Sequence, residues 1–261
     1  MPRDSIANTF RVAALLCVVC SVLVSAFAVG LRPFQQANRQ AEIKKNILSV
    51  SGLLEDPNAV DARERDAIFA ERVEAQVIDL DSGEVVEGVD PAEFDQIKMS
   101  KDPEHSNIIP SDVDIAGVKR REERSLVYFV NYTDGSRDQV VLPIRGYGLW
   151  STLQGFLSLD SDLTTIRGLT YYEHKETPGL GGEVDNPSWK QLWNGKRAFE
   201  EDGSVGIHVI KGTVDKGRPE AVYEVDGLSG ATITSRGVTN MLSYWLGEQG
   251  FGPFLDKLRA E

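Results

Sequence analysis

The chain is nearly free of cysteine: Cys17 and Cys20 are the only two in 261 residues, and both fall inside one apolar run. No disulfide framework can hold the remainder, whose core must rest on packing alone. Their Cys-Val-Val-Cys spacing is that of redox and zinc motifs, but no second pair completes a four-ligand set, and within lipid they read as small apolar side chains. Histidine is as sparse. His105, His174 and His208 are too scattered to form a cluster, so no metal is assigned. Basic charge is also deficient: 28 Lys and Arg against 40 Asp and Glu leave a net charge of −12, which excludes a surface that tracks nucleic-acid phosphates. Internal repeats and low-complexity tracts are absent, and no Gly-x-Gly-x-x-Gly follows a strand, so the chain carries no docking site for NADH.

One long uncharged stretch is present. Residues 12–31, "VAALLCVVCSVLVSAFAVGL", cover the roughly 30 Å hydrocarbon thickness of a bilayer at helical rise. A cleaved signal peptide is the rival, because Ala26-Phe27-Ala28 fits a small-x-small cleavage site; a retained anchor is the expectation. Arg3 and Arg11 precede the span while Arg32, Arg39, Lys44 and Lys45 follow it, so counting basic residues does not orient it. A large acidic domain behind a short tail suits export. The expected organisation is a cytoplasmic tail over 1–11, a transmembrane helix over 12–31, a helical connector over 32–55 and a periplasmic domain over 56–261.

Beyond the span, "VDARERDAIFAERV" predicts a second helix, and then strands dominate. "EAQVIDLDSGEVVEG" predicts two strands about Asp81-Ser82-Gly83, and "SLVYFVNYTDGSRDQVVLPIRG" a hairpin about Asp134-Gly135. "STLQGFLSLD", "LTTIRGLTYYEHKE", "SVGIHVIKG" and "EAVYEVDG" read as further strands, and "NPSWKQLWN" as a short helix. Val238, Met241, Leu242, Trp245 and Leu246 recur at helical spacing, predicting an amphipathic helix that starts between Ser229 and Ser235 and ends near Gly247. The expected fold class is α+β: a largely antiparallel sheet flanked by helices, preceded by one N-terminal transmembrane helix.

Three stretches do not fit a plain scaffold. "RGYGLW" breaks a strand with two glycines and presents Trp150, and "HKETPGLGG" is a glycine-rich turn; together they offer backbone amides, a planar aromatic and little bulk, as a flat ring ligand requires. The third, "DGLSGATITSRGV", crowds Thr232, Thr234 and Ser235 onto a helix start where one hydroxyl cap would suffice. "GLSGA" approximates a hydrolase nucleophile elbow, but that fold needs a histidine after the serine, and none occurs beyond His208. A phosphate at the helix N-terminus is the other reading, with Gly230 and Ala231 allowing close approach. An acidic protein would repel a free anionic cofactor, a difficulty that a covalent ester removes.

"DGLSGATITS" resembles the flavinylation motif Asp-x-x-Ser/Thr-Gly-Ala-Thr of the FMN-binding domain family, which is shared by the NqrC subunits of sodium-translocating NADH:quinone oxidoreductases and the corresponding FMN-bearing subunits of Rnf electron-transport complexes. The span, "GYGLWSTLQGFLSL", "HKETPGLGGEV" and this motif fall in the family's order, and total length and "GLWS" are more similar to the sodium-pump branch than to the Rnf branch. The resemblance implies FMN joined to Thr232 by a phosphoester that a separate flavin transferase makes. It further implies a place among other subunits of a bacterial inner-membrane redox complex that carries electrons from NADH to quinone. Ser229, Gly230, Ala231, Thr234 and Ser235 are expected to cap the helix or hold the ester phosphate. Trp150 and Leu180 are expected to pack near the flavin ring, with Glu176 and Thr177 as polar neighbours. The Rnf counterpart and a membrane-anchored flavin regulatory domain are the alternatives.

Overall fold

The computed structural model describes residues 6–260, so Arg3 and the first residues of the expected tail lie outside the described residues. The chain divides into two units between Ile43 and Lys44. Among the described residues of the first unit, 6–43, no side chain is buried; they form most of α1, which runs Ile6–Val50 through Pro33 and is long and apolar enough, by length and composition, to cross a membrane. Its last turns belong to the second unit. There Ile47, Leu48 and Val50 are buried, Ser51 O accepts from Gln139 Nε2 at 2.9 Å, and the helix stops at Val50, short of the expected 55.

The second unit is built on a five-stranded antiparallel sheet in the order β1-β4-β5-β6-β7. These strands are β1 (Val73–Asp79), β4 (Arg124–Asn131), β5 (Arg137–Tyr147), β6 (Thr152–Asp160) and β7 (Ile166–Glu173), while β2 (Ser106–Ile108) and β3 (Arg120–Glu122) form a small side ribbon. Asp134-Gly135 turns β4 into β5 as the sequence predicts, with Asp134 Oδ1 accepting from Ser136 N–H. From Gln139–Asp160 to Tyr147–Thr152, β5 and β6 pair without a register shift. Their hairpin turn is Gly148 to Ser151, closed by Gly148 N–H to Ser151 O at 2.9 Å. Helices α2 (Ala62–Arg72), α3 (Gln96–Met99), α4 (Pro187–Gln191), α5 (Thr232–Leu246) and α6 (Gly252–Ala260) complete the unit.

Helix α5 lies against β5 and buries Val238, Met241, Leu242, Trp245 and Leu246, the positions its sequence periodicity marks. Arg145 fixes this contact from the strand side. Its guanidinium sits 5.0 Å over the Trp245 ring and pairs with the fully buried Glu122, while its carbonyl accepts the Trp245 indole N–H at 2.6 Å. Glycine makes the close approach possible. A Cβ on Gly146 would meet Met241 Cβ at 2.8 Å, and one on Gly237 would meet the Tyr147 carbonyl at 2.5 Å.

Several expected elements are shorter or displaced. Gly146 does not break β5; the strand continues to Tyr147 because that glycine serves packing, and the break falls at Gly148. The return limb after β1 keeps one bridge, Ile78 to Val85, since Asp79 folds the chain back by accepting Ser82 N–H and O–H. "SVGIHVIKG" and "EAVYEVDG" contract to the parallel two-residue strands β8 (His208–Val209) and β9 (Glu224–Val225), because Pro219 starts a 3-10 turn that takes up Pro219–Tyr223.

Candidate functional site

The three unplaced stretches meet at the N-terminal end of α5. The close contact of Gly237 with Tyr147 sets the β5–β6 turn beside the first turn of that helix, and the 174–182 segment runs against both. Glu176 joins them. Its buried carboxylate accepts the backbone N–H groups of Leu149 (3.1 Å), Trp150 (2.9 Å) and Ser151 (3.2 Å) on Oε1, and the Thr234 hydroxyl (2.7 Å) on Oε2. Burial pushes this carboxyl's pKa up, but the Trp150 amide, the Thr234 hydroxyl and the Leu149 and Ser151 amides outweigh it and hold the group below the ordinary glutamate value. It is therefore a carboxylate at neutral pH. The surrounding glycines leave room for it: a Cβ on Gly148 would lie 2.7 Å from Oε1, and one on Gly181 2.7 Å from Oε2 and 2.6 Å from Thr234 Oγ1.

The hydroxyls at the helix start have separate fates. Thr234 is fully buried and donates to Glu176, and Ser235, nearly as buried, accepts from Leu228 N–H at 3.1 Å. Neither caps α5, and the expected hydroxyl cap is absent: the N-cap position is Ala231, which has no side-chain acceptor. The physical reason is position: the helix begins at Thr232, so Thr234 and Ser235 lie inside its first turn, beyond the N-cap, and their hydroxyls are held by Glu176 and by the Leu228 amide. The first backbone bond of the helix is Ser235 N–H to Ala231 O at 3.0 Å, so the amides of Thr232, Ile233 and Thr234 point out of the helix end. Thr232 is exposed there. It lines a groove of about 610 Å³ with Ser229, Gly230, Lys211, Arg236 and Asp226.

An apolar rim stands beside the helix start, outside the lining of this groove. Trp150 is 65% exposed, Ile233 55%, Leu180 44% and Leu149 38%, values unusual for such side chains gathered about one helix end. Leu180 leans over Gly230, whose φ of 71° and missing Cβ let the chain pass beneath it. Thr177 is exposed and shapes the loop through its carbonyl, which accepts the amides of Leu180 and Gly182. Ala231 is buried beneath the helix start. Lys211, Arg236, Gly181 and Gly237 are additions to the site. Only Gly237 carries a sequence signal, a glycine inside an otherwise apolar-periodic helix.

Open amides and two cations at a helix end, next to an exposed planar aromatic and aliphatic rim, suit a ligand with a phosphate at one end and a flat ring at the other. The FMN-binding domain family matches residues 148–247, a stretch that contains the β5–β6 turn, the 174–182 segment and α5. NqrC of the Na(+)-translocating NADH-quinone reductase of Pseudomonas aeruginosa is 48% identical over 257 residues, covering 98% of this chain and 97% of that one. Its Yersinia pestis equivalent is 47% identical and covers 98% and 94%. The crystal structure of Shewanella oneidensis NqrC superposes with a TM-score of 0.78 at 35% identity, covering 86% of this chain and all of that one. The chain belongs to the NqrC family, the FMN-binding-domain subunits of the Na(+)-translocating NADH-quinone reductases.

Proposed function

We propose that this chain is the electron-carrying subunit of a sodium-translocating NADH:quinone reductase and holds FMN covalently, as a phosphoester of Thr232. One observation carries the residue assignment. Of the three hydroxyls in the first turn of α5, that of Thr232 alone is exposed in the groove, while Thr234 and Ser235 are buried in hydrogen bonds. When bound, FMN supplies the redox chemistry. The chain's residues supply the rest: the first-turn amides of α5 with Arg236 and Lys211 receive the phosphate charge, and Trp150, Leu149, Leu180 and Ile233 shield the ring from water.

Attachment requires a separate flavin transferase, and electron flow requires the other subunits of the membrane complex. The chain has no dinucleotide fingerprint of its own. Purified alone, it is expected to have its flavin reduced by dithionite but not rapidly bleached by NADH. Helix α1 serves as a retained single-pass anchor in the bacterial inner membrane, with the second unit in the periplasm. Alkaline phosphatase fused after Glu261 should be active, and a mature N-terminus at Val29 would show instead that the anchor is removed.

The direct test is denaturing electrophoresis of the full chain, co-expressed with a flavin transferase and viewed under ultraviolet light. A fluorescent band at the chain's mass is expected; a dark band from protein that was yellow before denaturation would contradict the ester.

A further inference from the structure

We propose that Glu176 is the positioning residue of the flavin site: its carboxylate ties the Leu149–Ser151 turn to the first turn of α5 and so holds Trp150 against the bound ring. The inference rests on the FMN reading above. Three successive amides converge on one carboxylate, an arrangement in which all three bonds are charge-assisted and weaken together when the charge is withdrawn. The opposite oxygen holds the Thr234 hydroxyl, two residues from Thr232, so a single side chain spans from the aromatic rim to the attachment point. Steric demand agrees, since a side chain at Gly148 or Gly181 would occupy the space of its two oxygens. The turn has few other ties: Gly148 N–H reaches Ser151 O, and the Ser151 hydroxyl accepts Lys175 N–H at 2.7 Å. Trp150 itself is mostly exposed, so its place is set by its backbone and not by side-chain packing.

The test uses full-length protein carrying FMN and compares Glu176→Gln and Thr234→Val with wild type. Intact mass first establishes that the flavin is attached. In Glu176→Gln the adduct is expected to remain. Hydrogen exchange at the amides of 149–151 should rise about tenfold, while that of Leu157 and Leu159 in β6 stays unchanged. Flavin fluorescence should rise about twofold as Trp150 ceases to quench it, and the flavin's visible circular dichroism should fall. Thr234→Val, which cuts only the tie to α5, should leave the 149–151 amides slow but raise the fluorescence in the same direction. Unchanged exchange and unchanged flavin signals in a fully flavinylated Glu176→Gln would overturn the proposal. So would a uniform rise in exchange across β6, which marks general loosening. Should Glu176→Gln fail to fold, Thr234→Val decides, and an unaltered flavin signal there counts against the proposal. Wild-type protein without the adduct would instead overturn the FMN reading. Exchange in flavin-free protein still decides whether Glu176 holds the turn.

Discussion

The central sheet and the site at its edge are held together in opposite ways. Along β5 and β6 each residue is fixed by an unbroken ladder and by side chains such as Leu142, Ile144, Leu157 and Leu159, all buried, so the load is spread over many contacts. At the end of that same hairpin the turn depends on one carboxylate, and the helix start beside it on a few hydrogen bonds. Stability therefore resides in the first region and ligand chemistry in the second. Substitutions should separate the two properties.

The largest stability loss is expected where the sheet meets α5. Trp245→Ala removes a fully buried ring, its bond to the Arg145 carbonyl and the stacked guanidinium, and should cost about 4 kcal/mol in urea unfolding. Gly237→Ala drives a methyl into the Tyr147 carbonyl and should cost about 2 kcal/mol. It differs from Trp245→Ala in kind, because it also pushes α5 off the turn and should perturb the flavin signal. A smaller effect should appear with acid. Glu176's pKa is lowered by folding, so its contribution is complete above the ordinary value of 4.5 and disappears as pH falls through the lowered one. The stability gap between wild type and Glu176→Gln should accordingly stay constant from pH 7 to about 4.5 and close below it. Gly135→Ala tests the far end of the sheet: at φ 85° and in open space the methyl should cost about 1 kcal/mol, with no change at the flavin.

The same division governs what could be read in the sequence. The Asp134-Gly135 hairpin and the apolar stripe of α5 obey local rules, and both stand where those rules put them. Glu176 obeys no local rule. Its partners lie 25 to 58 residues away, and a glutamate in a glycine-rich loop bears no mark of facing inward. The hydroxyl cap failed on helix phase: Thr234 and Ser235 have the composition of a cap but fall inside the first turn, where Glu176 and the Leu228 amide hold them. The α6 helix and the β2–β3 ribbon went unread because they are short: α6 has nine residues behind a Gly-Pro start, and each ribbon strand has three.

At Thr232 the stability effect should be smallest and the functional one complete. Thr232→Val is nearly isosteric at an exposed position, so the unfolding free energy should stay within about 0.5 kcal/mol of wild type. The decisive measurement is intact mass of flavinylated wild type beside Thr232→Val, Thr234→Val, Ser235→Ala and Ser229→Ala, where an attached FMN adds about 438 Da. The adduct should be absent in Thr232→Val alone and present in the other three. Its persistence in Thr232→Val, or its loss only in one of the others, would contradict the assignment of the flavin to this hydroxyl.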